Sequence, residues 1–202
     1  MCKVGPDNEA ARTRKEPTVG KIVNSTYMTI DGDITNMQDW HFESWGDEAA
    51  KAAGEIMGAP EALIMGRLTY DGFFPAWSAQ SGEESGADRM NSLRKYVVSN
   101  TLTDPEWNNT TVISGDDVAG QIRELKEGMD GDLLQYGFGD VTRLMLAEGL
   151  LDQLKLWLHP VFSGKATADE RIYRDMPQVR MRLTDTDVHS SGMVILTYDI
   201  LD

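Results

Sequence analysis

The chain has 202 residues, 41% hydrophobic and 26% charged, which suits one globular domain and excludes a disordered or fibrous chain. Its 19 basic and 33 acidic residues leave a net charge of −14, which repels nucleic acid and anionic membrane surfaces alike. No apolar run approaches the ~20 residues of a membrane span, and Cys2 is the single cysteine, so no internal disulfide forms.

Residues 1–18 are polar, carry both charge signs and lack the apolar segment of a secretory signal. They read as a flexible, solvated leader to a single domain over 19–202, in a cytoplasmic protein. The stretch 21–27 (KIVNSTY) predicts a strand with Ile22 and Val23 inside, running into Thr29-Ile30-Asp31-Gly32-Asp33, where Asp-Gly marks a turn. A polar, aromatic-rich loop follows over 34–45. Asp47 is placed to cap a helix that ends at Gly58, with Ala49, Ala50, Ala53, Ile56 and Met57 at helical spacing.

Residues 61–65 (EALIM) predict a short buried strand that meets Gly66-Arg67, and 68–74 a short helix. The Gly-, Ser- and Glu-rich stretch 78–89 reads as a mobile loop. Strands over 95–99 and 110–114 precede a helix capped by Asp116 or Asp117, its apolar face Val118, Ile122 and Leu125. The strand 132–136 ends in Gly137-Phe138-Gly139, and the following helix shows Val141, Leu144 and Met145 on one face. Residues 153–162 alternate, with Leu154, Leu156 and Leu158 on one side. Two last strands, 178–184 and 193–201, are closed into an antiparallel hairpin by Ser190-Ser191-Gly192.

Strands alternating with helices, then strands alone, favour an α/β fold: helices on both faces of a largely parallel sheet with an antiparallel edge. Ligands of such sheets sit beyond the carboxyl ends of the strands. That rule gathers Asp31-Gly32, Gly66-Arg67, Ser99-Asn100-Thr101 and Gly137-Phe138-Gly139 into one rim.

Gly137-Phe138-Gly139 either lets backbone N–H groups approach an anion at a helix N-terminus or is a plain tight turn. It is not the dinucleotide fingerprint of a Rossmann domain, because Gly-x-Gly-x-x-Gly fails at Thr142. An arginine directly after a buried strand, at a helix start, runs against the helix dipole; Arg67 makes sense gripping a phosphate, or else sits on the surface. His41, His159 and His189 have no ligand spacing, so no metal site is expected. There is no Gly-x-Ser-x-Gly elbow for a nucleophile. Asp47 and Glu48 are either acid catalysts or first-turn acids of a helix. Trp40, Trp45 and Trp77 either wall a flat ring or pack the core.

Taken together, Ser25-x-x-x-x-Ile30-Asp31-Gly32, Ile64-Met65-Gly66-Arg67-x-Thr69-Tyr70, Lys95 to Leu102 (KYVVSNTL), Gly137-x-Gly139 and His159-Pro160-Val161-Phe162-x-Gly164 resemble the dihydrofolate-reductase-like family, in particular the reductase domain of riboflavin biosynthesis (the RibD C-terminal domain). The resemblance runs over roughly 20–200 and is closest to stand-alone members. It implies a three-layer α/β/α fold with a mixed, mostly parallel central sheet and an antiparallel C-terminal hairpin. It also implies an NADPH-dependent reductase that passes a hydride to a small pterin- or pyrimidine-like heterocycle. The riboflavin-pathway reduction of a ribosylated aminopyrimidine phosphate, or nucleotide binding without turnover, are the alternatives.

By that resemblance Gly66, Arg67 and Thr69 meet the cofactor phosphates, and Ser99 and Thr101 the adenosine 2′-phosphate end. Gly137, Phe138, Gly139 and Asp140 line the pyrophosphate turn, Phe138 standing where the family commonly has a small residue. Asp47, or Glu48, donates the proton, and Asp31, Trp40 and Trp45 face the substrate. Two-fold dimers are frequent in the family, and the alternating strand from Leu154 is a candidate contributor to one.

Overall fold

The computed structural model describes residues 20–82, 86–176 and 178–201, so the expected leader and the middle of the expected 78–89 loop lie outside the described residues. In chain order the elements are β1 (Ile22–Thr29), α1 (Asp47–Gly58), β2 (Ala62–Gly66), α2 (Arg67–Ser78), α3 (Ala87–Ser92), β3 (Arg94–Val98), β4 (Thr110–Ile113), α4 (Val118–Glu127), β5 (Leu133–Tyr136), α5 (Asp140–Ala147), β6 (Gln153–His159), β7 (Arg180–Val188) and β8 (Val194–Leu201). The strands form one sheet in the order β4-β3-β2-β5-β1-β6-β8-β7. The first six are parallel, β8 is antiparallel to β6, and β7 pairs antiparallel with β8 at the edge.

The central strands are apolar on both faces because both faces are covered. On one, Ile22, Ile64, Ile113 and Leu133 pack with Ile122 of α4 and Met145 of α5. On the other, Val23, Leu63, Met65, Val97 and Leu134 pack with Met57 of α1, Tyr70 of α2 and Met90 of α3. The β6–β8 end has its own clusters, Ala49 with Trp157, Met193 and Ile195, and Met28 with Phe138, Leu154 and Ile172.

Several boundaries differ from the expected ones, each for a physical reason. Gly46, not Asp47, is the N-cap of α1, with no side-chain cap bond; Asp47 is the first helical residue. Ala50 lies on the exposed side, and Ala52 joins the expected Ala53 against the β6–β8 cluster. The helix after Gly66 runs 12 residues, through Pro75, because Phe73, Phe74 and Trp77 all pack against the core. The far end of the expected loop is α3, held by buried Ala87 and Met90, a segment too short to show a period. The 34–45 loop contains two 3-10 turns, Met37–Asp39 and His41–Ser44. Asp117 is the cap of α4, accepting from the Gly120 amide (2.9 Å).

Candidate active site

Because β1, β2, β3, β5 and β6 run parallel, their carboxyl ends share one edge of the sheet. Two helices start directly from this edge on neighbouring strands: α2 after β2, with Gly66 as N-cap, and α5 after β5, with Gly139 as N-cap. Each N-terminus carries about half a positive charge, and neither is capped by its own N-cap side chain. At α5 one amide, Gly139 N–H, donates to Thr142 Oγ1 (3.2 Å). Gly137 has φ +76°, a conformation L side chains rarely adopt, and a Cβ there would lie 3.2 Å from Thr69 Oγ1. A Cβ on Gly66 would lie 3.3 Å from Val141 Cγ2, so the two turns touch. A Cβ on Gly139 would meet nothing within 4 Å, and the approach to α5 is open.

Beside these turns sits Arg67. Its Nε donates to both carboxylate oxygens of Asp71 (2.7 and 2.9 Å), and Nη1 reaches Thr101 Oγ1 at 3.5 Å. Ser99 Oγ accepts from the amides of Thr101 (3.2 Å) and Leu102 (3.1 Å), fixing the turn that presents Thr101. Gly66, Arg67, Thr69, Ser99, Thr101, Gly137 and Gly139, drawn from three stretches of sequence, are therefore together. Asp140 is exposed and pairs with Arg174 (3.4 Å) and Arg143 (3.7 Å). Phe138 turns its ring inward among Met28, Leu154 and Ile172, beneath the Arg143 guanidinium (5.6 Å), so it offers the rim its backbone alone.

A buried polar brace holds the Gly137 turn. Asn24 Nδ2 donates to Gly137 O (2.7 Å) and Gln135 Oε1 (2.8 Å), and Thr142 Oγ1 donates to the same Gln135 oxygen (3.1 Å). The sequence reading missed these residues. Polar Asn24 and Gln135 inside strands buried on both faces were the available signal.

The face covered by α1 and α2 carries the remaining candidates. Asp31 accepts from Thr29 Oγ1 (2.6 Å) and from the amides of Ser163 (3.1 Å) and Gly164 (3.1 Å), which hold its carboxyl down at about 2. It thus fastens the end of β1 to the turn after β6. Trp40 is buried, donates to Thr35 O (3.1 Å) and meets His159 edge-on at 4.9 Å. Trp45 lies against His41 (4.6 Å), whereas Trp77 sits apart on α2 beside Phe73. Glu48 accepts from the Ser190 amide (2.8 Å) and hydroxyl (2.6 Å), pinning α1 to the β7–β8 turn. Asp47 is exposed at the start of α1.

Two tyrosines escaped the sequence reading. Tyr27 near the end of β1 and Tyr136 at the end of β5 are on the same sheet face, since Ser25 is the registered partner of Tyr136. Burial pushes both phenols well above their usual range, and the nearness of Tyr27 pushes Tyr136 further. His41 stacks on Tyr27 (4.6 Å), and His159 meets it edge-on (5.6 Å). Burial lowers both imidazoles, His159 to about 4, so both are neutral at pH 7. Strand alternation from Val23 and Leu134 was the signal that could have found the pair. Behind the 34–45 loop a cavity of about 120 Å³ is lined by Asp33, Trp40, Phe162 and Lys165 among others. No cluster of three metal-binding side chains is present among the described residues.

The family model of the RibD C-terminal domain matches residues 20–196. The uncharacterized protein YyaP of Bacillus subtilis is 25% identical over 185 residues, which are 88% of this chain and 94% of that protein. Among solved structures, a protein of Shewanella sp. PV-4 assigned to riboflavin biosynthesis superposes with a TM-score of 0.67 at 17% identity, covering 90% of this chain and 99% of that one. Dihydrofolate reductase of Enterococcus faecalis, solved with NADP(H), superposes with a TM-score of 0.58 at 15% identity, covering 91% and 98%.

Proposed function

The chain belongs to the RibD C-terminal domain family, and from that premise we propose that it is an NADPH-dependent reductase of a small heterocycle. The observation that carries this reading is the meeting of the Gly66–Thr69 and Gly137–Gly139 turns at two helix N-termini, with Thr69 Oγ1 3.2 Å from where a Gly137 Cβ would stand. A side chain at Gly137 would fill the cradle, and backbone amides at such termini suit a pyrophosphate. The residues present fit the cofactor. Gly66, Thr69, Gly137 and Gly139 would hold the pyrophosphate, with Phe138 and Asp140 contributing backbone. Arg67, Ser99 and Thr101 would take the adenosine phosphate.

When bound, NADPH supplies the hydride. The chain's own part is to orient the rings, exclude water and deliver a proton. Of the two acids, Glu48 is engaged by Ser190, and Asp47 is the one left to serve as donor at the mouth. Asp31 acts on the substrate side by setting the turn after β6, and Trp40 and Trp45 by walling it. A phosphorylated substrate is less well served. Near the 162–164 turn, Lys165 pairs with Asp39 (3.0 Å) and Arg171 is held by the carbonyls of Asp31 (2.8 Å) and Ala166 (3.4 Å).

The test is quenching of tryptophan fluorescence by NADPH. Arg67→Ala is expected to weaken binding by about 1.5–3 kcal/mol, the worth of a hydrogen bond to a charged group. Unchanged affinity would remove Arg67 from the site, and no quenching in the wild type would remove the cofactor.

A further inference from the structure

We propose that Tyr27 and Tyr136 form the polar end of a pocket for a neutral, planar, carbonyl-bearing ring, their hydroxyls donating to its oxygen. The inference rests on the reductase reading for the place of the pocket, and it narrows the substrate to a class.

The hydroxyls are the first observation. Both phenols lie on adjacent strands, on one face, next to the rim turns. Neither hydroxyl has a hydrogen-bond partner among the described residues. Tyr70, by contrast, spends its hydroxyl on the Trp107 amide (3.2 Å). Partly buried tyrosine hydroxyls normally find a partner in the fold, so two side by side without one are donors left for a ligand. Both are held protonated by burial, and hence remain donors throughout the physiological range.

The walls are the second. Phe73 lies 5.5 Å from Tyr136, His41 stacks on Tyr27 at 4.6 Å, and Trp45 approaches Tyr27 edge-on at 6.3 Å. Such faces suit a flat ring. The third is charge. Both histidines beside Tyr27 are neutral. The cation–ring contacts among the described residues are Lys95 over Trp107 and Arg143 over Phe138, neither of them at these tyrosines. An anionic ring would leave its solvation without gaining a cation here.

The full chain is titrated by ligand-observed NMR with isoquinolin-1-one, a neutral flat lactam, and with isoquinoline-1-carboxylate, an anion of similar shape. The lactam is expected to bind, and at least tenfold more tightly than the carboxylate. Tyr27→Phe and Tyr136→Phe should each weaken the lactam about 5- to 10-fold, the loss of one hydrogen bond. NADPH quenching and the melting temperature should hold in both variants, because an unpartnered hydroxyl stabilises nothing. No lactam binding at millimolar concentration, wild-type lactam affinity retained in both variants, or tighter binding of the carboxylate each overturns the proposal. Tyrosine-dependent lactam binding without NADPH quenching would leave the pocket standing and remove the reductase reading.

Discussion

His159 is fully buried at the end of β6, and neither ring nitrogen has a hydrogen-bond partner among the described residues. Burial therefore penalises its charged form, and the folded-state pKa falls from 6.5 to about 4, with His41 nearby adding to the shift. The unfolded chain takes up the proton first. Stability is full above about pH 6.5 and is lost as pH falls toward 4. In urea melts, wild type should lose about 3 kcal/mol across that window beyond what the carboxylates account for. His159→Phe should flatten the loss, and an unchanged acid limb in that variant would show that the histidine is solvated. The imidazole was visible in the sequence only as one of three isolated histidines, because nothing local tells a reader that Trp40, Tyr27 and His41 enclose it.

At the scale of elements, the turns between strand and helix carry the site. At Gly137 a substitution meets two obstacles at once, a φ of +76° and the Thr69 hydroxyl 3.2 Å from the new methyl. Gly137→Ala should cost about 1–2 kcal/mol in denaturant melts and weaken NADPH several-fold as the turn shifts. A variant as stable as wild type with normal NADPH quenching would show that the turn has slack.

These turns were legible because each follows a short apolar strand, so Gly66-Arg67, Ser99-Thr101 and Gly137-Gly139 fell on one edge once the sheet was parallel. What braces them was not. Asn24 is 111 residues from Gln135 and 113 from Gly137, and no window along the chain connects them. Nor does any connect Glu48 to Ser190, 142 residues on, which is why Glu48 stood in the sequence as a second candidate donor behind Asp47. The α3 segment was lost for the opposite reason: it is six residues long, and the burial of Ala87 and Met90 is set by packing on α1 and α2.

At the scale of the molecule, the sheet is unequal. Its parallel part is covered on both faces, whereas all nine residues of β7 are exposed. By register Leu154, Tyr198 and Leu183 form one row, and Leu158, Val194 and Val188 another, so the alternating leucines of β6 continue outward as an apolar face ending in Leu183 and Val188 (49% and 67% exposed). Along β7, Arg180 and Arg182 precede Asp185 and Asp187. A second copy approaching antiparallel would set each arginine pair against its partner's aspartates. The protein is expected to sediment as a two-fold dimer at micromolar concentration. The double change Asp185→Lys with Asp187→Lys should raise the dimer dissociation constant at least tenfold, with dimerisation also weakening in high salt. A wild-type monomer, or a salt-insensitive dimer unaffected by the double change, would place the contact elsewhere.

Glu48 gives this asymmetry a further meaning. The Glu48 carboxylate in the first turn of α1 is bonded to the β7–β8 turn, which ties the helix packed beside Tyr27 to the outer hairpin. Anything that steadies the hairpin steadies the pocket mouth. A dimer formed through that hairpin would make ligand affinity and self-association two readings of one equilibrium, each raising the other by the same factor. The working state of the pocket would accordingly depend on how much of the protein a cell makes.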